Sequence, residues 1–261
     1  MTLITKLFVA IMLTAVHASL VLVVAPAAGQ ERATALDVTP QATARILGNM
    51  EYLRGFRGTG FNFTADVINV EDGKASEQFQ LDVKINGKGF ALVEVLAPKN
   101  QRGRRTLLRD NDLWLYLPSS ANIIRIAPLQ RVFGSASIAD VLNVSYLNGY
   151  TVLSSSKSAN GKLLQLSLKS KDVKATYSRI DIDYDLAADR PIESRHYSAS
   201  DRLLKTIQYK AFRNYEGSPK VEKIVIVDGI RKSSVVWMKM SEYGRATYPD
   251  SMFTKTALSR K

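Results

Sequence analysis

The chain of 261 residues contains no cysteine and only two histidines, His17 and His196. Without cysteine there is no disulfide, no thiolate nucleophile and no thiol for lipid attachment, so stability has to come from an apolar core. A zinc site built from Cys and His has no ligand set. Past residue 29, His196 is the one imidazole, and no Gly-x-Ser-x-Gly elbow presents a serine to it, which leaves a serine hydrolase without its frame. The chain also lacks internal repeats, low-complexity tracts and inter-domain linkers. These absences turn the reading from catalysis towards binding, with no cofactor and no metal expected.

Anionic side chains are in the minority, 24 Asp and Glu against 36 Lys and Arg. The first 29 residues carry one cation, Lys6, then an apolar run from Leu7 to Val24 broken only by Thr14, His17 and Ser19. Small residues from Ala25 to Gly29 offer cleavage before Ala28 or before Gln30, the pattern of a secretory signal peptide at 1–29. An uncleaved anchor helix is the alternative, since Leu7 to Ala28 is nearly long enough to span a bilayer. Residues 30–261 then form a single domain with a formal charge of +11, large enough for its own core. An exported basic chain meets anionic lipid head groups and envelope polymers before it meets nucleic acid, which is not expected as a partner.

The pattern of elements is mainly β with a few helices. Ile46, Leu47, Met50 and Leu53 recur at helical spacing behind the capping candidates Asp37 and Thr39, with Pro40 early, and predict a helix over 39–54. Gly55, Gly58 and Gly60 stop it. An alternation begins at Phe61, and Phe79, Leu81, Val83 and Ile85 oppose Gln80, Asp82, Lys84 and Asn86 as in a half-buried antiparallel strand. Asn86–Gly89 forms a turn into a strand over 90–97. Further strands are expected at 113–117, 122–127, 150–155, 163–169, 175–184, 191–198, 204–212, 220–228 and 233–243, a spacing that argues for a sandwich or barrel. Within 135–147 a second helix is expected, capped by Ser135 or Ser137.

Leu113-Trp114-Leu115-Tyr116-Leu117, entered through the polar turn Asp110-Asn111-Asp112, is apolar on both faces, so something must lie on each side of it. A helix on one side and a greasy ligand on the other would satisfy it. Asp181, Asp183 and Asp185 have the opening spacing of a calcium loop, but Leu186 stands where the glycine belongs and Ile192 where the closing acid does. A solvated strand face opposite Lys or Arg accounts for them. His196 reads as a surface or hydrogen-bonded strand residue. Arg102, Arg104 and Arg105 are the densest cationic cluster, a solvated turn or a contact for head groups or an acidic partner.

The stretch from Pro98 to Leu108, followed by Asp112 to Pro118, resembles the LolA-like family of outer-membrane lipoprotein-sorting proteins. The likeness continues through Arg125-Ile126, Gly134-Ser135, Ile138-Ala139-Asp140-Val141 and Tyr150, and returns in Met252-Phe253-Thr254-Lys255 and Leu258. It is closer to the broad, poorly characterised branch than to the lipoprotein carrier itself. The resemblance implies a half-open antiparallel β-barrel whose concave face is apolar and covered by helices. It also implies a non-enzymatic periplasmic carrier that binds lipid, or the acyl chains of a lipoprotein, between an inner-membrane donor and an outer-membrane acceptor.

The groove residues expected on this reading are Phe61, Phe63, Phe79, Leu81, Val83, Phe90, Leu92, Trp114, Tyr116, Ile124 and Ile126, with Ile138, Val141 and Leu142 in a lid. About half of them would simply pack the barrel, since strand parity does not say which face is concave. A monomer is expected. Two alternatives are an envelope sensor module that recognises a protein partner or serves an inner-membrane lipid exporter, and an ester hydrolase using His196.

Overall fold

The computed structural model describes residues 38–260 apart from residues 57, 111, 143, 144 and 174. The export segment expected at 1–29 lies outside the described residues. Helix α1 (Pro40–Leu53) begins where Thr39 accepts the Ala42 N–H at 3.2 Å and Pro40 occupies the first turn, and it ends at the glycine-rich stop. Its buried stripe is Ile46, Leu47, Met50 and Leu53.

Six strands follow as a meander: β1 (Phe61–Glu71), β2 (Lys74–Ile85), β3 (Ala91–Ala97), β4 (Arg105–Arg109), β5 (Asp112–Leu117) and β6 (Asn122–Ile126). The turn from β1 to β2 is Asp72-Gly73, both at positive φ (50° and 77°), the backbone that a two-residue hairpin with native twist requires. A small hairpin, β7 (Arg131–Phe133) and β8 (Ala136–Ser137), leads into two single-turn helices, α2 (Ile138–Val141) and α3 (Tyr146–Gly149). The second meander is β9 (Tyr150–Lys157), β10 (Leu163–Ser170), β11 (Arg179–Asp185), β12 (Arg190–Tyr197), β13 (Leu203–Tyr215), β14 (Ser218–Asp228) and β15 (Ser234–Arg245).

The two meanders become one sheet because β1 pairs antiparallel with β15, Phe61 opposite Arg245 and Val70 opposite Val235. The resulting thirteen-stranded order is β6-β5-β4-β3-β2-β1-β15-β14-β13-β12-β11-β10-β9, open between β6 and β9. This is the expected half-open antiparallel barrel. Much of its inner face is apolar by alternation: Phe63, Ala65 and Val67 on β1, Leu164, Leu166 and Leu168 on β10, and Ile180, Ile182 and Tyr184 on β11 are all buried. The α1 stripe joins that same core, as do Val132, Phe133, Ile138, Val141, Leu142 and Tyr146 from the segment between β6 and β9.

Three expectations need correction. The helix expected within 135–147 is split in two, because β8 runs to Ser137 and α2 ends after one turn. The strand expected over 175–184 starts only at Arg179, since its partner β10 ends at Ser170 and leaves 175–177 without a ladder. The second cover on β5 is the chain's own C-terminal segment, with 3-10 turns at Asp250–Met252 and Lys255–Ala257, rather than a ligand. Leu113 and Leu115 face the concave core, while Trp114 and Tyr116 face outward with Leu107, Phe90 and Leu92 beneath Phe253 and Leu258.

Polar contacts hold this strap in place. Arg105 Nη1 donates to the carbonyls of Leu258 (3.1 Å) and Arg260 (2.5 Å), Arg109 Nη1 to that of Phe253 (3.1 Å), and Asn86 Nδ2 to Asp250 Oδ1 (2.9 Å). Phe253 is fully buried, so Phe253→Ala should lower the unfolding free energy by about 3 kcal/mol. Urea titration checks the loss, and a red shift of tryptophan emission should accompany it as Trp114 gains solvent.

Candidate functional site: a lidded concave face

Seven of the eleven expected groove residues lie on the concave side. Phe61, Phe63, Phe79, Leu81, Val83 and Ile126 are buried in its core. Ile124 shares the face of Ile126 by alternation and is 42 % exposed near the open β6 edge. The other four, Phe90, Leu92, Trp114 and Tyr116, sit on the convex face under the strap, so the sheet separates residues that the sequence reading placed together. The three lid candidates Ile138, Val141 and Leu142 are all buried against the concave core.

Of the cationic cluster, only Arg102 is exposed. Arg105 is committed to Glu94 (3.0 Å) and to the strap carbonyls. Arg104 donates to Gln101, and burial lowers its pKa against the opposing pull of Glu77. Asp181 and Asp183 are tied to Arg179 and Arg195, while Asp185 accepts the N–H groups of Ala187 and Ala188 at 2.9 Å. These are the charge pairs of a solvated strand face.

The lid comprises the β7–β8 hairpin, α2 and α3, and it is held at separate points by polar groups reaching from the frame. From β1, Asn69 accepts the Ser135 N–H at 2.7 Å and donates to the Phe133 carbonyl at 3.1 Å. Gly134, at φ +62°, passes so close to Asn69 that a Cβ there would lie 2.4 Å from Nδ2. The hydroxyls of Ser135 and Ser234 both donate to Glu71 and lower its pKa.

From the end of α1, Arg54 Nη2 donates to the carbonyls of Asp140 and Val141, each at 3.1 Å, and Glu51 accepts the Leu147 N–H at 3.0 Å. Arg54 is 6 % exposed, a buried cation spent on the lid backbone. From β13, Lys205 donates to Asp140 and to the Ser137 hydroxyl, and the same carboxylate oxygen accepts the Ser137 N–H (2.7 Å) and hydroxyl (2.8 Å). Arg54, Asn69 and Lys205 were not candidates in the sequence. Arg54 looked like the end of a helix, and nothing local marks a contact spanning 86 residues.

Of the two roles read for it, surface or hydrogen-bonded, His196 takes the second, being 1 % exposed beneath the lid. Its Nε2 is 2.9 Å from Ser194 Oγ, its ring packs edge-on to Tyr177, and its Nδ1 has no partner among the described residues. Burial pushes its pKa down to about 3, with Asp140 opposing and Lys205 and Arg54 assisting. An imidazole of that pKa is a poor base for Ser194 at neutral pH, and both groups are closed off. The site's chemistry is therefore apolar containment with buried charges as fasteners.

Two outcomes follow from this arrangement. Below pH 6.5 the unfolded chain takes up a proton at His196 that the folded chain refuses until about pH 3, so stability is present above 6.5 and falls with pH. Urea-unfolding free energies should drop by up to about 1.4 kcal/mol per unit between pH 6.5 and 5, with a shallower slope in His196→Gln. Lys205→Met strands the buried Asp140 carboxylate and should cost about 3 kcal/mol, at least half of it recovered on adding Asp140→Asn.

Comparison with known proteins fits this geometry. A LolA superfamily protein from Nitrosomonas europaea is 26% identical, with a TM-score of 0.72 over 84% of this chain and 99% of that one. A domain assigned to outer-membrane lipoprotein sorting, from Vibrio parahaemolyticus, shares the fold at 19% identity, with a TM-score of 0.67 over 83% and 98%. So does a DUF1329 family protein from Desulfovibrio piger, at 20% identity and a TM-score of 0.68 over 84% and 98%. No curated protein matches the chain. A family model described as an uncharacterized protein matches residues 87–260, about two thirds of the sequence. The chain belongs to that family, and its fold is that of the LolA superfamily.

Proposed function

We propose that the protein is a periplasmic carrier that takes lipid, or the acyl chains of a lipoprotein, onto its concave face and conveys them from an inner-membrane donor towards an outer-membrane acceptor. Residues 1–29 serve as its export signal and 30–261 as the carrier domain. The observation that carries the reading is the lid. An apolar concave face is closed by a short segment fixed at Asn69, Arg54, Lys205 and Glu51, rather than by strands of the sheet. The LolA-like fold of the solved neighbours supports the same general role.

Displacing the lid exchanges its buried side chains for an alkyl chain. Burial at about 0.8 kcal/mol per CH₂ holds a long chain by on the order of 10 kcal/mol before ordering costs. No covalent step is needed. Release requires an acceptor with comparable apolar surface and a lid that closes again once the chain has left.

The test is native mass spectrometry of protein purified without detergent, with solvent extracts analysed for lipid, alongside titration with a fluorescent fatty acid. An extractable adduct of lipid mass is expected. Arg54→Gln frees the Asp140 and Val141 carbonyls and should strengthen apparent acyl binding about tenfold by raising the open population. A clean apo mass, with no acyl binding to either protein, contradicts the proposal.

A further inference from the structure

A second cleft lies on the opposite, convex face of the sheet, over the seam where β1 meets β15. It has a volume of about 590 Å³ and an apolar lining broken by a few polar groups. Trp237, 48 % exposed, and Ile68, 37 % exposed, are cross-strand partners inside it. Elsewhere the convex face carries ion pairs such as Arg195 with Asp183 (2.6 Å), the strap, and single exposed apolar side chains such as Ile192 and Leu153. Here a large aromatic and an aliphatic side chain are left to water.

The charges in the cleft are also out of balance. Lys223 and Lys239 face each other directly across β14 and β15, an arrangement that costs stability by like-charge repulsion. Among the described residues neither lysine forms an ion pair. Asp66, opposite Lys239 on β1, is engaged by Gln80 at 3.4 Å and leaves the cleft with one excess positive charge. The five strands that line it, β1, β2, β3, β14 and β15, are each paired on both sides, so no free backbone edge is available for an added peptide strand. The volume falls within the range of single-molecule ligand pockets.

The geometry points to a second binding site, separate from the lidded face, for a single-chain anionic amphiphile. Its carboxylate or comparable anionic head sits between Lys223 and Lys239, and its alkyl chain lies over Trp237 and Ile68. Charge complementarity and the exposed apolar pair select this occupant. Because the site lies on the other side of the sheet from the lid, it stands or falls independently of acyl carriage on the concave face.

The chain has two tryptophans, so Trp114→Phe leaves Trp237 as the sole reporter. Dibromostearate, which quenches tryptophan at short range, should quench it saturably below the concentration at which the probe self-associates. Lys223→Glu with Lys239→Glu should weaken that quenching about tenfold or more, and so should the uncharged methyl ester of the probe. Both lysines are surface residues, and circular dichroism checks that the variants fold.

Absence of quenching overturns the proposal. So does quenching that is indifferent to the lysines and to the head-group charge, since that describes a plain apolar patch or a probe on the concave face. Quenching only by vesicles of brominated phosphatidylglycerol, and not by the monomeric probe, overturns it in favour of a membrane-contacting surface.

Discussion

Everything in this fold depends on the pairing of the first strand with the last. β1 and β15 are about 170 residues apart in sequence, yet their ladder is what turns two meanders into a single open sheet. Without it neither half has a concave face deep enough to receive α1 and the lid. The pairing also sets where other features fall. Asn69 and Glu71, near the end of β1, come within reach of the lid hairpin, and Ile68 comes to lie beside Trp237 on the far face. Such non-local pairing is slow to form, because the loop-closure entropy is lost before any contact rewards it.

The lid shows how polar contacts make a closed state specific. Its apolar residues supply most of the burial, but burial alone is indifferent to register. Arg54 on the α2 carbonyls and Lys205 on Asp140 fix the register, because buried charges tolerate few alternative arrangements. A carrier needs this combination. The fastened state keeps an empty apolar surface from water, and a small number of contacts must be given up for it to open. Asp140 Oδ1 and His196 Nδ1, without a hydrogen-bond partner among the described residues, are the polar cost of closing the face this way.

Much of the fold was legible because alternation and helical spacing are local signals. Helix α1 emerged within one residue at each end, and the double-sided apolar character of Leu113–Leu117 correctly required two covers. The face of each strand was not legible, since parity groups residues without saying which set points inward. That is why Trp114 and Tyr116 were grouped with Phe79 and Leu81, although the sheet holds them on opposite sides. The outer cover was missed because Phe253 and Leu258 lie in a short segment with no periodicity of its own. The lid fasteners were missed for a different reason: a helix-end arginine and a strand lysine look ordinary until the fold brings Asp140 between them.

The central claim, that the concave face opens by displacement of the lid while the sheet stays intact, is tested most directly by amide hydrogen exchange with and without added fatty acid. The account predicts that amides of residues 131–142 and 145–149 exchange well before those of β1, β10 and β14, and that acyl binding changes exchange in the lid while the sheet core stays protected. Lid amides that exchange only together with the sheet, in one global unfolding event, would contradict it.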